Sequence, residues 1–415
     1  MKIVIDTNMV SPHTAPLAAE LAKLCGDENV VYLVNEPPQE MFRTKCVYEY
    51  VNTILVDASK NRELAMKLID DADLVIENRR DFDLIQRRVS KGKLTFYVSE
   101  RWFKPIDIFH LFDSENVGGW SVWVSGILRL LFPFGRRRAK KILEIMQSPS
   151  FLYLPIGIHA MQDMARLCGI MHGDLRCWFS SPRLVYEKRP GSCIKLCEVK
   201  NDQNQNKLSK KYGVDKMRLW GYFVNNDSEN LQQVCKTKIN TSPMVRILWV
   251  GRLLGCKLVE DIVRAIVSDC KVDKTDSTRF CLDIYGHGPA EEKIRKLVKK
   301  LKLEDRVSFY PFVDLKEVRF LMRQHDVYVF SSNAFDGWGA VVNEALNEGM
   351  KVIGTYEAGA SSTILPKTNL YHARDWRKLR QLLVGFIPRV DADSWTAKNA
   401  AMVIMKMIGE LKNER

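Results

Sequence analysis

Asp336-Gly337-Trp338-Gly339-Ala340-Val341-Val342-Asn343-Glu344 places two acids at the ends of a short glycine-bearing stretch. Neither acid suits a phosphate, but both can accept hydrogen bonds from sugar hydroxyls. Gly337 and Gly339 remove side chains where an anionic group would approach the backbone. The free N–H groups of a helix beginning here, with the positive end of its dipole, would favour that anion. The chemistry indicated is recognition of a hydroxyl-rich, phosphorylated ligand. A solvated Asp and Glu on an ordinary strand–helix–strand unit is the plain alternative.

The flanking pattern supplies the elements that hold these residues. Val327 to Phe330 is a short apolar, β-prone run, as for a strand buried on both faces. Ala340 to Asn347 has helical spacing, with Val341, Val342, Ala345 and Leu346 inward, and Gly349 marks its end. Val352, Ile353 and Gly354 begin the next strand.

A second group precedes it. Trp249-Val250-Gly251-Arg252-Leu253-Leu254 ends a strand, and Lys257 follows. Fixed cations in a dry site stabilise negative charge developing on a leaving phosphate and can take the place of a metal. A surface ion pair is the alternative for Arg252.

These residues carry a resemblance. Asp336-x7-Glu344, with its Trp-Gly and Glu-Ala pairs, resembles the Glu-x7-Glu signature of retaining nucleotide-sugar glycosyltransferases of GT-B fold, the family 4 or group 1 enzymes. The first acid here is Asp rather than Glu. Gly251-Arg252-Leu253 with Lys257 resembles the element in which Arg and Lys hold the donor diphosphate. The family usually has Gly after that Lys, where this chain has Leu258. Tyr285-Gly286-His287-Gly288-Pro289 is similar to a Gly-x-Gly-Pro turn of the family, and Ser308 to Val313 to the turn lying against the nucleotide base.

The resemblance implies an α/β, GT-B protein with two Rossmann-like, doubly wound domains facing across a cleft. It implies that Arg252 and Lys257 hold the diphosphate and that Asp336 binds sugar hydroxyls near the reacting carbon. Glu344 would bind the ribose, the N–H groups of Trp338, Gly339, Ala340 and Val341 would face phosphates or sugar, and Phe312 and Val313 would contact the base. Glu357 to Ser361 is expected to line the same cleft. The leaving phosphate oxygen would take the acceptor's proton, and neither metal nor cofactor is expected. The resemblance covers residues 245–365 well and the first domain by architecture.

In the first domain the family's glycine-rich loop is replaced by Asp6-Thr7-Asn8-Met9-Val10-Ser11. Where many members place a His near the reacting sugar, this chain has Ser99-Glu100-Arg101. Glu100 is therefore a catalytic candidate, with pairing to Arg101 or Lys104 as the alternative; His13 and His159 are further candidates. The Asp-Ala-Asp copies at Asp71–Asp73 and Asp391–Asp393 sit at helix boundaries and are not expected to bind metal.

Strands are expected at 2–6, 29–34, 74–76, 94–98, 151–156 and 219–224, with helices at 16–25, 63–72, 82–89, 139–146 and 159–168. After a polar stretch the alternation restarts, with strands at 246–250, 280–285 and 307–310 and helices at 258–268, 289–303 and 315–325. A last helix spans 395–411. This alternation indicates parallel sheets with ligands beyond the strands' carboxyl ends. The expected domains are 1–226, a linker at 227–243, 244–390, and a C-terminal segment 391–415 crossing back to the first. Ser181 to Leu208 reads as a polar, basic loop or insertion.

The net charge of +13 suggests anionic partners, but no nucleic-acid motif accompanies it. The ten cysteines lack metal-ligand spacing and read as thiols of a cytoplasmic protein. The chain starts on a strand rather than a signal peptide, and no apolar run is long enough to span a bilayer. Segment 106–141, with Trp120, Trp123, an apolar run and Arg136-Arg137-Arg138, suits either a membrane surface or a buried helix with a basic turn. The expected activity is sugar transfer from a nucleotide-sugar donor to a glycan or lipid-linked acceptor, cytoplasmic and peripheral to the membrane. The rivals are an inactive GT-B partner subunit, and a phosphorylase or nucleotide-sugar epimerase of the same fold.

Overall fold

The computed structural model describes residues 1–8, 11, 14–36, 54–103, 124, 128, 130–196, 202–224, 244–267, 279–391 and 395–413. The expected linker 227–243, His13 and most of segment 106–129 lie outside them. The chain divides into two units: residues up to 224 together with 395–413, and residues 244–391.

In the first unit, β1 (Ile3–Thr7), β2 (Val30–Val34), β3 (Ile54–Asp57), β4 (Leu74–Glu77), β5 (Leu94–Ser99) and β6 (Phe151–Pro155) form one sheet. Its order is β3-β2-β1-β4-β5-β6, and every pairing is parallel. Strands β1 and β2 are buried at every position, as strands covered on both faces must be. The helices between them are α1 (Ala15–Cys25), α2 (Arg62–Asp71), α3 (Phe82–Ser90), α4 (Pro133–Ile145) and α5 (Gly157–Met171). Asn61 and Asp81 cap α2 and α3 by accepting the N–H groups of Leu64 and Leu84.

In the second unit, β9 (Met244–Val250), β10 (Arg279–Tyr285), β11 (Val307–Tyr310), β12 (Val327–Phe330), β13 (Lys351–Thr355) and β14 (Leu370–Tyr371) repeat that arrangement, in the order β11-β10-β9-β12-β13-β14. Their pairings are likewise parallel. Helices α7 (Val259–Ala265), α8 (Glu291–Lys300), α9 (Leu315–Gln324), α10 (Val341–Asn347), α11 (Gly359–Ile364) and α12 (Trp376–Val384) connect them. The strand order reverses between β1 and β4 in one unit, and between β9 and β12 in the other. Such reversals open a crevice at the strands' carboxyl ends.

Several expectations change. Residues 219–224 form no strand. Leu219 exchanges hydrogen bonds with Gly191 and Ser192, whereas Trp220 bonds to Pro155 and Gly157, so no single partner strand is followed. Within 181–208 lie a hairpin, β7 (Leu184–Val185) with β8 (Lys195–Leu196), and the start of α6 (Asp202–Lys211). The basic cluster at 136–141 lies within α4, which begins at Pro133, a residue suited to a first helical turn. Strand β3 and helices α11 and α12 were not anticipated. The last helix, α13 (Ala397–Asn413), packs on α1 in the first unit, where the Cys25 and Met405 sulfurs lie 3.8 Å apart.

Candidate functional site

The crevice between β9 and β12 gathers most of the expected donor residues. After β9 the chain turns through Gly251 and a short 3-10 turn, Gly255–Lys257. After β12 it runs through Ser331 to Asp336. The Ser331 hydroxyl donates to the Lys257 carbonyl at 2.6 Å, and the Asn333 N–H to the Cys256 carbonyl at 2.9 Å. These bonds lay the two loops side by side. The Lys257 ammonium pairs directly with the Asp336 carboxylate, and lies 5.6 Å from the centre of the Phe330 ring. Both side chains are mostly buried, 22% and 16% exposed, so the pair is only partly screened by solvent.

The Arg252 side chain is exposed, with no hydrogen-bond or ion-pair partner among the described residues. Its turn is held by backbone packing. Gly251 donates to the Tyr285 carbonyl and Leu253 to that of His287. A Cβ on Gly286 would lie 2.0 Å from the Gly251 carbonyl oxygen, and one on Gly288 2.3 Å from that of Leu253. The Tyr285–Pro289 turn is thus a strand-to-helix connection that also sets the position of Arg252.

The glycine loop is clamped from two sides. Gly339 has φ +85°, and its Cβ would fall 2.1 Å from the Phe330 ring. Gly359 and Ala360 donate to the carbonyls of Gly337 and Trp338 at 3.1 and 2.8 Å. Residues 359–361 are buried and support the loop through backbone, rather than lining a ligand space with side chains. The Trp338 side chain is likewise internal: 1% exposed, its indole N–H donates to Asn343 Oδ1 at 3.0 Å. The N–H groups of Gly339, Ala340 and Val341 make no hydrogen bond among the described residues, so three consecutive donors remain for a ligand.

Glu344 is buried in α10, and its carboxyl has no hydrogen-bond partner among the described residues. Burial pushes its pKa up to about 7, against the opposing charge of Arg319 and with a smaller upward effect of Glu348. Val341, expected inward, is only half-buried; Val342, Asn343, Glu344, Ala345 and Leu346 are the buried residues. Gly349 ends the helix with φ +72°, as expected.

Phe312 (63% exposed) and half-buried Val313 follow β11, two strands from β9. Beside them is a feature the sequence analysis missed. Tyr285 and Tyr310 are register partners on β10 and β11, and their rings stack 4.5 Å apart. A tyrosine ending each strand was the available signal.

Glu100 belongs to the first unit, at the end of β5, and accepts a hydrogen bond from the Tyr222 hydroxyl at 3.3 Å. Arg101 does not pair with it; its guanidinium is bidentate to Asp163 at 3.1 and 3.2 Å. His159 lies in α5 and is half-buried. A buried acid pair was also missed. Asp6 and Glu77 are register partners where β1 meets β4. Arg79 holds Asp6 at 3.2 Å, and Asn35 donates to Asp6 at 2.7 Å. Glu77 Oε1 accepts the N–H groups of Arg79 and Asp81, while Oε2 is buried without a partner in the described structure. Burial, then the neighbouring Asp6 charge, push Glu77 up to about 7. An acid ending each of two apolar strands was the signal. Among the described residues no His, Cys, Asp and Glu group is arranged to hold a metal.

Residues 236–383, which contain this crevice, match the family model described as glycosyl transferases group 1. The second unit thus resembles the glycosyl transferases group 1 family over residues 236–383.

Two of its curated relatives are the GtfA subunit of a UDP-N-acetylglucosamine–peptide N-acetylglucosaminyltransferase from Limosilactobacillus reuteri and the putative colanic acid biosynthesis glycosyltransferase WcaL from Escherichia coli. The first is 26% identical over 44% of this chain and 38% of its own. The second is 27% identical over 36% and 37%. The chain thus aligns with less than two-fifths of the length of these relatives. In structure, the chain resembles Anabaena Alr3699/HepE solved with UDP, at TM-score 0.56 and 13% identity over the full length of both. It also resembles the lipopolysaccharide outer core galactosyltransferase WaaB, at TM-score 0.56 and 15% identity over 98% of this chain and all of the other. At such identities the likeness establishes the fold: GT-B, with two Rossmann-like α/β domains.

Proposed function

We propose that the protein transfers a sugar from a nucleotide-diphosphate sugar to an acceptor hydroxyl in glycan biosynthesis, with retention at the anomeric carbon and without a metal. The observation that supports this is the Lys257–Asp336 pair at the point where the sheet order of the second unit reverses, with the partnerless Arg252 side chain on the same loop after β9. Arg252 and Lys257 neutralise the diphosphate as its bond to the sugar breaks. Asp336 holds sugar hydroxyls near the reacting carbon, and the N–H groups of Gly339 to Val341 receive phosphate or sugar oxygens. Glu344 takes the ribose hydroxyls, and Phe312 and Val313 lie against the base. As the anomeric carbon–phosphate bond breaks and the bond to the acceptor oxygen forms, the acceptor's proton passes to the leaving phosphate oxygen. Glu100 orients donor sugar or acceptor, and transfer takes place on the cytoplasmic side of a membrane.

The names of relatives and structural neighbours make uridine the first base to try. The test is thermal shift with UDP-, GDP- and ADP-sugars, with and without EDTA, followed by mass spectrometry of donor turnover. Ligand binding to the native state raises the melting temperature by mass action. A rise with one nucleotide that survives EDTA supports the assignment. No rise and no turnover with any of them overturns it.

A further inference from the structure

We propose that the tip formed by Leu131, Phe132 and the start of α4 is a docking surface for an anionic lipid bilayer. Leu131, Phe132 and Phe134 are 66%, 61% and 71% exposed. Large apolar side chains scattered singly on a surface need no explanation, but a contiguous group does. Directly after them, Arg136, Arg137 and Lys140 are exposed on α4. The opposite face of α4, with Ala139, Ile142 and Ile145, is buried in the first unit. What remains outward is therefore an apolar end followed by a cationic face.

The local charges select the partner. No acid occupies the first turn of α4, so nothing offsets the positive pole of this thirteen-residue helix, and three arginines follow it closely. Cations near a helix start are disfavoured by the dipole, and an external anionic layer reverses that cost. Of the acids beside the cluster, Asp83 is taken by Lys141, and Glu144, four residues after Lys140 on the same helix face, offsets part of that lysine's charge but not that of the arginines before it. The Arg138 guanidinium lies 5.4 Å from the centre of the Phe134 ring, holding that ring against the cationic face. Apolar rings set at the headgroup level with basic residues beside them fit a bilayer carrying negative headgroups. This inference rests on the first unit alone and stands independently of the donor chemistry proposed above.

The test is sedimentation of the full chain with vesicles of phosphatidylcholine, with and without phosphatidylglycerol. The expected result is binding to the anionic vesicles only, weakening as salt is raised. Arg136→Ala/Arg137→Ala/Lys140→Ala should weaken binding about a hundredfold, at roughly fivefold per cation. Phe132→Ser/Phe134→Ser should also release the protein, and both variants should melt within a few degrees of wild type because the replaced side chains are exposed. Equal binding to both vesicle types, no binding, or binding indifferent to both variants overturns the proposal. So does a change of oligomeric state in the Phe variant without loss of vesicle binding, which would make this face a contact between copies. Retention on RNA without vesicle binding overturns it as well.

Discussion

Lys257 closes on Asp336 across the two loops that follow β9 and β12, so the cation expected for the phosphates and the carboxylate expected for the sugar occupy each other in the unliganded chain. On the proposed reading a donor enters between them, exchanging one ion pair for contacts to both of its halves. Either Lys257→Ala or Asp336→Asn should lower kcat/KM by about 10²–10³. Because the groups touch, the double variant should lose less than the two losses combined, with a coupling of about 0.5–3 kcal/mol. Steady-state kinetics of the three variants decides this, and full additivity would count against a shared site.

Arg252 presents the opposite case. With no partner to lose, Arg252→Ala should leave stability within about 0.5 kcal/mol of wild type. Donor affinity should fall roughly ten- to hundredfold, as for loss of hydrogen bonds from a charged group. Calorimetric titration with the nucleotide beside a melting curve separates the two quantities. A destabilised variant with unchanged affinity would return Arg252 to a structural role.

Gly339 faces the Phe330 ring at a left-handed φ. Gly339→Ala should therefore cost about 2–4 kcal/mol from backbone strain and overpacking together. Adding Phe330→Leu should recover the packing part and leave the strain. Urea denaturation of both variants measures each share.

Leu258 is fully buried with φ +46°. Here the usual advantage of Ala over Gly should invert. Both replacements forfeit the buried side chain, but only Gly relieves the left-handed strain, so Leu258→Gly should be about 1 kcal/mol more stable than Leu258→Ala. Neither should match wild type, since deleting a buried leucine costs about 2–5 kcal/mol. Urea midpoints of the two variants give the comparison.

Glu77 ties stability to pH. Its folded pKa, about 7, lies above the ordinary 4.5, so the folded chain holds this proton more tightly than the unfolded one. The resulting stability is full below pH 4.5 and is lost as pH rises through 7, by roughly 3 kcal/mol. Glu77→Gln should remove its share of the decline and leave a comparable share from Glu344, whose pKa is also pushed up to about 7 by burial. Urea midpoints between pH 5 and 8 measure it, and an unchanged slope in the variant would mean that Glu77 ionises freely.

The donor half was legible because its signals are local. Asp336 to Glu344 and Gly251 to Lys257 each lie within one turn or loop, and the parallel-sheet topology then dictates that the ends of β9 and β12 meet. Alternation gave most strands to within a residue or two. It failed for β3, although its Ile54-Leu55-Val56 run is as apolar as the equally short β4 and β12, and for 219–224, whose β-prone residues satisfy their backbone through different neighbours. The Asp6–Glu77 contact and the Tyr285–Tyr310 stack escaped because each depends on the register of two strands far apart in sequence. Leu258 was visible as a departure from the family, but not as a residue in a conformation that favours glycine. That a buried arginine, Arg88, would donate to the carbonyls of Ala72 and Leu94 is also a tertiary fact without a local signature.

The packing of α13 on α1 bears on synthesis. The described part of the second unit runs from 244 to 391, so its sheet is complete before α13 leaves the ribosome. The first unit starts earlier yet finishes later. Its first helix must wait some 380 residues for the last one, which packs on it and brings Met405 to Cys25. During translation the nascent chain therefore carries an unfinished N-terminal unit behind a C-terminal one whose strands have all emerged.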